Sequence, residues 1–361
     1  MPDLYSLVKP FLWRLDPERA HRLSILALKT IPPQILPVFD SFPALQQSLW
    51  GKCFKSPIGL AAGYDKDAEA VESLLSLGFG FVEIGGVTLR PQGGNPPPRL
   101  FRLTEDRAVI NRMGLNSAGV DMVVQRLQKF SDYPLPGPLA INLGLNKDSQ
   151  NPPADYAALA GRLAPFAEIL TLNVSSPNTP GLRALQDPGK LTEIVDSVRT
   201  SIAGSNSSSG PALLVKIAPD LSDRDVSDLA EFSLSHKIDG LVVANTTVAR
   251  PASLRSVHRE EAGGLSGAPL FNASTNLLRT MYKRTEGKIP IVGVGGISSG
   301  AEAYAKIRAG ASLVQLYSAM VFEGPGLISR ITKELACLLE KDGLKTIEDA
   351  VGADHPIGED S

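Results

Sequence analysis

From residue 56 onward, short apolar runs alternate with stretches whose apolar positions recur at helical spacing, the pattern of βα units that feed a parallel sheet. The runs predict strands over Ile58–Ala62, Phe81–Gly85, Leu139–Leu143, Glu168–Val174, Ala212–Ile217, Gly240–Ala244, Ile289–Val294 and Leu313–Leu316. Helices are predicted over Ala154–Ala167, Leu191–Ile202, Asp223–Ser235, Ala273–Arg284 and Gly300–Ala309. Eight strands in about 260 residues match an α/β chain closed as a (β/α)8 TIM barrel. Gly204–Gly210 reads as a surface loop, because the strand–helix rhythm resumes directly after it.

Ahead of the barrel, Leu4, Leu7, Val8, Phe11, Leu12 and Leu15 fall on one helical stripe. Asp16-Pro17 caps a second helix that carries Leu23, Leu26 and Ala27, and Pro32-Pro33 stops it. This small N-terminal amphipathic extension either packs on the body or presents a surface that dips into a lipid interface. The divisions expected are residues 1–40 for the helices, 41–340 for the barrel and 341–361 for a tail without assignable chemistry.

Two insertions interrupt the rhythm. Thr88 to Asn116 carries Pro91, Pro96, Pro97 and Pro98, and loops of this length are usually lids or inserted hairpins. Ala249 to Pro269 ends in Gly263-Gly264-Leu265-Ser266-Gly267. Both leave the carboxyl ends of strands, the face on which barrels bind ligands.

That face collects the candidate chemistry. Asn173-Val174-Ser175-Ser176-Pro177-Asn178-Thr179-Pro180-Gly181 follows the fourth strand, although turn chemistry also uses such residues. The first strand ends in Ala61-Ala62-Gly63-Tyr64-Asp65-Lys66, where small residues admit a flat ligand and Lys66 offers a cation for a carboxylate. Asn142, Asn173, Lys216, and Asn245 with Thr246 end four further strands. Amides both donate and accept, which suits the imide and carbonyl edges of a heterocycle. Gly293-Val294-Gly295-Gly296-Ile297-Ser298 and Gln315-Leu316-Tyr317-Ser318 follow the last two strands, the usual place for a phosphate cradle. A mononucleotide is favoured, because the third glycine of a dinucleotide fingerprint falls at Ser298.

Composition narrows the options. A formal net charge of −2 over 361 residues argues against nucleic acid as a partner. Cys53 and Cys337 lie far apart and suggest neither a disulfide framework nor a zinc site; a reducing cytoplasmic setting fits. His21, His236, His258 and His355 have no metal-ligand spacing, so no metal is expected. No run of about 18 apolar residues and no signal-peptide pattern is present.

The chain resembles the class 2 dihydroorotate dehydrogenases over roughly residues 1 to 335. The resemblance rests on Gly59-Leu60-Ala61-Ala62-Gly63-Tyr64-Asp65-Lys66, Asn111-Arg112-Met113-Gly114, the Asn173-to-Arg183 segment, Val215-Lys216-Ile217-Ala218-Pro219-Asp220-Leu221, Gly263-Gly264-Leu265-Ser266-Gly267 and Gly293-Val294-Gly295-Gly296-Ile297. It implies oxidation of (S)-dihydroorotate to orotate in pyrimidine biosynthesis, with FMN as cofactor and a membrane quinone, ubiquinone or menaquinone, as acceptor. Fumarate or NAD as acceptor is disfavoured by Ser176, where soluble relatives carry cysteine, and by the absence of iron–sulfur cysteines. Ser176, rather than Ser175, would be the base that takes the C5 proton while hydride leaves C6, with Thr179 and a water carrying that proton outward.

Lys66, Asn111, Arg112, Met113, Gly114, Leu115, Asn173, Asn178, Asn245 and Thr246 would contact substrate. Ala62, Gly63, Tyr64, Asp65, Lys66, Asn142, Asn173, Lys216, Gly267, Gly296, Tyr317 and Ser318 would hold FMN, with Lys216 stabilising its anionic reduced ring. The N-terminal helices would form an apolar funnel for the quinone. A monomer held peripherally on the cytoplasmic face of the cell membrane is implied. The sequence departs from the family pattern at Gly86 and Ala244, where hydroxyl residues are expected, and at Leu115, where an aromatic is.

Overall fold

The computed structural model describes residues 4–31, 41–131, 133–203 and 210–355. Its strands are β1 (Gln47–Leu49), β2 (Lys52–Phe54), β3 (Ile58–Leu60), β4 (Phe81–Val87), β5 (Leu100–Leu103), β6 (Ala108–Asn111), β7 (Leu139–Leu143), β8 (Ile169–Asn173), β9 (Ala212–Ile217), β10 (Gly240–Val243), β11 (Gly264–Gly267), β12 (Ile291–Val294) and β13 (Leu313–Leu316). The helices are α1 (Leu4–Arg14), α2 (Pro17–Thr30), α3 (Val71–Ser76), α4 (Val120–Leu127), α5 (Pro152–Leu163), α6 (Pro188–Ala203), α7 (Asp223–Ser235), α8 (Phe271–Arg284), α9 (Gly300–Arg308), α10 (Ser318–Glu323) and α11 (Leu327–Lys341).

All eight predicted barrel strands are present and close in chain order, β3-β4-β7-β8-β9-β10-β12-β13 and back to β3. Every residue of β4 and β9 is buried, as expected when helices cover one face and the barrel interior the other. Boundaries differ where local chemistry decides them. The seventh barrel strand begins at Ile291 rather than Ile289, since Pro290 has no N–H for the ladder. α5 begins at Pro152, two residues before the predicted start, because Asn151 caps the Ala154 N–H at 3.2 Å and proline is welcome in the first turn.

The amino-terminal mouth of the barrel is plugged. The β1–β2 hairpin inserts Phe54, which meets Phe81 edge-on at 5.6 Å, and Trp50 Nε1 donates to the Asp239 carbonyl at 2.7 Å. With Ile169, Leu214, Val242, Val292 and Leu313 they form a dry cluster, so only the opposite mouth is free for a ligand.

Over that open mouth the two insertions form a single structure. The first folds into the β5–β6 hairpin, and β6 pairs antiparallel with β11 from the second, matching Asn111 with Gly264. α1 and α2 lie alongside. Asp16 caps α2 by accepting the Glu18 and Arg19 N–H groups, both at 3.1 Å. Ile25 and Leu28 are buried, and Glu18 pairs with Arg99 at 2.7 Å. Leu7 (64%) and Phe11 (69%) stay exposed, so the stripe read from sequence is only partly spent on packing. Among the described residues no helix is long and apolar enough to cross a membrane.

The predicted stop at Pro32-Pro33 and residues 204–209 of the Gly204–Gly210 loop lie outside the described residues; α2 ends at Thr30. Beyond α11 the chain remains attached to the barrel. Ile347 N–H donates to the Ala44 carbonyl at 2.8 Å, Gly352 N–H to that of Ile307 at 3.0 Å, and Asp354 pairs with Arg308 at 2.7 Å.

Candidate active site

A cavity of about 740 Å³ lies above the strand ends and runs on between the hairpin sheet and α1 and α2. Its floor is organised by Glu83 on β4, which is fully buried and has no cation in an ion pair among the described residues. One carboxylate oxygen accepts Asn142 Nδ2 at 2.8 Å, and the other accepts Gln315 Nε2 at 2.7 Å.

A carboxylate only accepts, so Asn142 must turn its amino group toward it and its Oδ1 away. That oxygen receives Asn173 Nδ2 at 2.9 Å, which turns Asn173 Oδ1 toward Asn245 Nδ2 at 3.3 Å and Ser175 Oγ at 3.2 Å. Asn142 and Asn173 each keep one uncommitted N–H beside the cavity. Strand register supplies the alignment, with Gly85 opposite Asn142 and Asn173 opposite Lys216.

The two serines separate cleanly. Ser175 is fully buried, does not line the cavity, and is held by Asn173 and by Asn245 Nδ2 at 3.0 Å. Ser176 lines the cavity and accepts the Asn178 N–H at 3.3 Å. Thr179 Oγ1, three residues on, is buried without a hydrogen-bond partner among the described residues. Arg183 fixes the loop by donating to the Ser175 and Thr246 carbonyls, each at 3.1 Å.

Lys66, Asn111, Met113, Gly114, Leu115, Asn173, Asn178, Asn245 and Thr246 all line the cavity, as do Ala62, Gly63, Tyr64, Asn142, Lys216, Gly267, Gly296, Tyr317 and Ser318. Burial holds the Lys66 ammonium down to about 8, with the Asp67 carboxylate pulling it up and Arg99 pushing it down. Asn178 Nδ2 donates to the Asn111 carbonyl at 3.0 Å and to its Oδ1 at 3.2 Å, joining the two loops. Two of the departures from the family pattern meet here: a side chain built at Gly86 would start 3.0 Å from Leu115 Cδ2.

Two of the residues expected at the ligands, Asp65 and Arg112, do not line the cavity. The Asp65 carboxylate turns away from the cavity and accepts the Glu69 and Ala70 N–H groups at 2.9 and 2.8 Å, capping the turn before α3. Burial raises its pKa. Arg112 likewise points outward, pairing with Glu261 at 2.7 Å and stacking 4.5 Å from the Phe101 ring centroid. Asn111 ends β6 with its side chain toward the cavity, so Arg112 next to it turns the other way, whereas Asp65 sits in a turn and is drawn off by the N–H groups it caps.

At the far end Gly267, Ala268, Gly295, Gly296 and Ser298 bring backbone to the cavity wall. Gly296 has φ +78°, and a Cβ there would lie 2.5 Å from Phe271 Cβ; Gly267, at φ +96°, would meet the Arg107 carbonyl oxygen at 2.4 Å. Only glycine fits either position.

Toward the helices the wall includes His21 and Arg102, neither of which the sequence reading singled out. His21 packs edge-on to Tyr64 at 5.1 Å, and Tyr64 Oη donates to Ser24 Oγ at 2.9 Å. Burial, reinforced by Lys66, lowers the His21 pKa to about 4, which leaves it neutral at pH 7. A lone histidine on an amphipathic stripe carried no signal. Arg102 could have been found from the alternation of Leu100, Arg102 and Thr104 along the hairpin, which places Arg102 on the same face as Leu100.

Residues 44–339 match the family model described as dihydroorotate dehydrogenase. A dihydroorotate dehydrogenase (quinone) from Rhodospirillum rubrum is 51% identical, covering 98% of this chain and 96% of that protein. The mitochondrial dihydroorotate dehydrogenase (quinone) of Mus musculus is 49% identical, covering 96% of this chain and 89% of its own. The ligand-free crystal structure of the enzyme from Eimeria tenella superposes with a TM-score of 0.89 at 41% identity, covering 94% of this chain and all of that one.

Glu83→Leu leaves the Asn142 and Gln315 amino groups buried without their acceptor, so urea unfolding should register a loss of about 2–5 kcal/mol. A variant within about 0.5 kcal/mol of the parent would remove Glu83 from its organising role.

Proposed function

Because this chain belongs to the quinone-dependent dihydroorotate dehydrogenase family, we propose that it oxidises (S)-dihydroorotate to orotate with Ser176 as base and passes the electrons to a quinone through FMN. The observation that carries this reading is one continuous cavity that joins Ser176 at the strand ends to Leu12, Ala27 and Leu28 of the N-terminal helices.

The wall chemistry fits FMN. Two uncommitted amide N–H groups and the Lys216 ammonium suit the carbonyl edge of a flavin, and the Gly267 and Gly296 backbone with Ser318 suits a phosphate. FMN bound there supplies the hydride acceptor for dihydroorotate and the two-electron store from which the quinone is reduced. Lys66 takes the substrate carboxylate, while Asn111, Asn178, Asn245 and Thr246 hold its ring by hydrogen bonds. Asn173 lies between the two ligands.

Ser176 takes the proton from C5. Its neighbour Ser175 is committed to the amide network, whereas the Ser176 hydroxyl faces the cavity. The orphaned Thr179 hydroxyl passes that proton outward through a water. No carboxylate or imidazole hydrogen-bonds to Ser176 among the described residues, so solvent at the loop is the sink.

Residues 1–40 form the quinone-access unit, and the exposed Leu7 and Phe11 rest on the cytoplasmic membrane surface. His21 and Arg102 flank the path between those helices and the strand ends.

Ser176→Ala should slow flavin reduction by dihydroorotate between about a hundredfold and ten-thousandfold in stopped flow, with the protein still yellow. An active mutant would sink the assignment. Orotate binding should weaken as pH rises above about 8, where free Lys66 loses its proton, by roughly tenfold per pH unit. A flat titration up to pH 10 would contradict the Lys66 contact. Replacing both Leu7 and Phe11 with Glu should lower sedimentation with anionic vesicles about tenfold, because the apolar contact area is lost. Unchanged sedimentation would place the membrane contact elsewhere.

A further inference from the structure

Lys306 is the one ammonium in α9 that turns into the protein interior, and it is fully buried. Its Nζ donates to Ser274 Oγ at 2.8 Å and to Thr275 Oγ1 at 2.9 Å, and it lies 5.1 Å from the Phe271 ring centroid. Among the described residues no carboxylate pairs with it. The acid that acts on it is Glu302, one turn back on α9, whose Oε2 is already occupied by Ser298 N, Ser298 Oγ and Ser299 Oγ at 2.7, 2.8 and 3.2 Å.

A buried ammonium with neutral partners is destabilising, since hydroxyl oxygens offset only part of the hydration it gives up. Burial pulls its pKa down to about 7. A methionine would fill similar space with no charge to desolvate. Something must favour a cation here.

The surroundings indicate what. Ser274 and Thr275 stand in the first turns of α8, and Ser274 Oγ donates to the Phe271 and Gly295 carbonyls at 3.1 and 3.2 Å. Gly295 and Gly296 line the cavity, and Gly296 is pressed against Phe271. Lys306 therefore lies one layer behind a wall of the cavity lined by Gly295, Gly296 and, just ahead of α8, Ala268 and Leu270. An anion bound at that wall would supply the missing countercharge without touching the ammonium.

We infer that Lys306 is a positioning residue for the phosphate end of the cofactor: its charge, set behind Ser274, Thr275 and Gly295, selects a ligand that carries a phosphate. The inference rests on the FMN reading above and goes beyond it by separating recognition of the phosphate from recognition of the ring.

The test uses the full chain stripped of flavin, as the parent protein, Lys306→Met and Lys306→Gln. Each is titrated with FMN and with riboflavin, which shares the ring and ribityl chain but lacks the phosphate, and bound flavin is followed by fluorescence quenching. The parent should prefer FMN. Both variants should lose about tenfold in FMN affinity while riboflavin affinity stays the same. The glutamine variant retains an amide donor for the two hydroxyls, so its loss reports charge rather than packing.

Equal weakening toward both flavins would identify a structural role and overturn the inference, as would undiminished FMN affinity in either variant. Failure of both variants to fold would also overturn it, because removing an uncompensated buried charge should be neutral or stabilising in the ligand-free chain. A parent protein that binds neither flavin would overturn the FMN reading together with the inference. A parent that binds FMN alongside variants that keep its preference would overturn the inference alone.

Discussion

A carboxylate that can only accept hydrogen bonds stands at the open barrel mouth, and the direction of the strand-end amides linked to it follows. Glu83 fixes Asn142, Asn142 fixes Asn173, and Asn173 fixes Asn245 and Ser175. The chain crosses strands β4, β7 and β8 and reaches the loop after β10, so it depends on a barrel register that brings their ends to one level. Such a network is valuable only when complete, because each buried amide left without a partner costs what the others contribute. The result is a floor on which Asn142 and Asn173 offer spare donors and Gln315 Oε1 one spare acceptor. It suits electron-rich ligand edges, and Lys216 adds a cation to the same side.

Polar costs are concentrated at this end and offset at the other. Phe54, Phe81, Leu214 and Val292 close the amino-terminal mouth with well-packed apolar surface, while Glu83, Lys216, Lys306 and the amide chain are buried toward the carboxyl-terminal face. The N-terminal helices follow a different logic. They are attached largely through polar contacts, Glu18 to Arg99, Arg22 to Glu69, and Lys9 to the Phe322 carbonyl. Only Ile25 and Leu28 of α2 are buried. A unit held by its polar rim can leave its outer apolar residues exposed and still frame the cavity with the inner ones.

The barrel was legible because each strand is a short apolar run with a helical stripe behind it, a local pattern that neighbouring elements cannot disguise. Many of the residues that line the cavity were legible because they sit at the ends of those runs. What escaped notice depended on distant pairing. Nothing local announces that β6 and β11, about 150 residues apart, form one sheet, and that sheet carries Arg102 to the cavity. Glu83 was hidden by its apolar neighbours, since one acid inside Phe81–Val87 reads as an exception rather than as the centre of a network. Asp65 and Arg112 belong to the motifs that carry the resemblance, and their outward direction is set by partners that the motifs do not reveal, the Glu69 and Ala70 N–H groups for one and Glu261 for the other.

The serine pair illustrates why the distinction between adjacent residues matters for chemistry as well as for counting. Ser175 and Ser176 have the same functional group, and among the described residues neither hydrogen-bonds a histidine or an acid. The fold gives them different work by orientation alone. Ser175 is consumed by Asn173 and Asn245, which ties the amide chain to the loop, and Arg183 holds its carbonyl from the other side. That anchoring fixes the backbone from which Ser176 faces the cavity. In the proposed reaction the weak base therefore gains from placement rather than from a strong partner: its oxygen is held at the cavity wall, and an unpartnered hydroxyl at Thr179 stands three residues along the same loop. Exchanging the two roles would require turning the loop over, which would break the Asn173–Asn245 contact and release the polarity set by Glu83. The proposed base and the buried carboxylate are thus parts of one constraint.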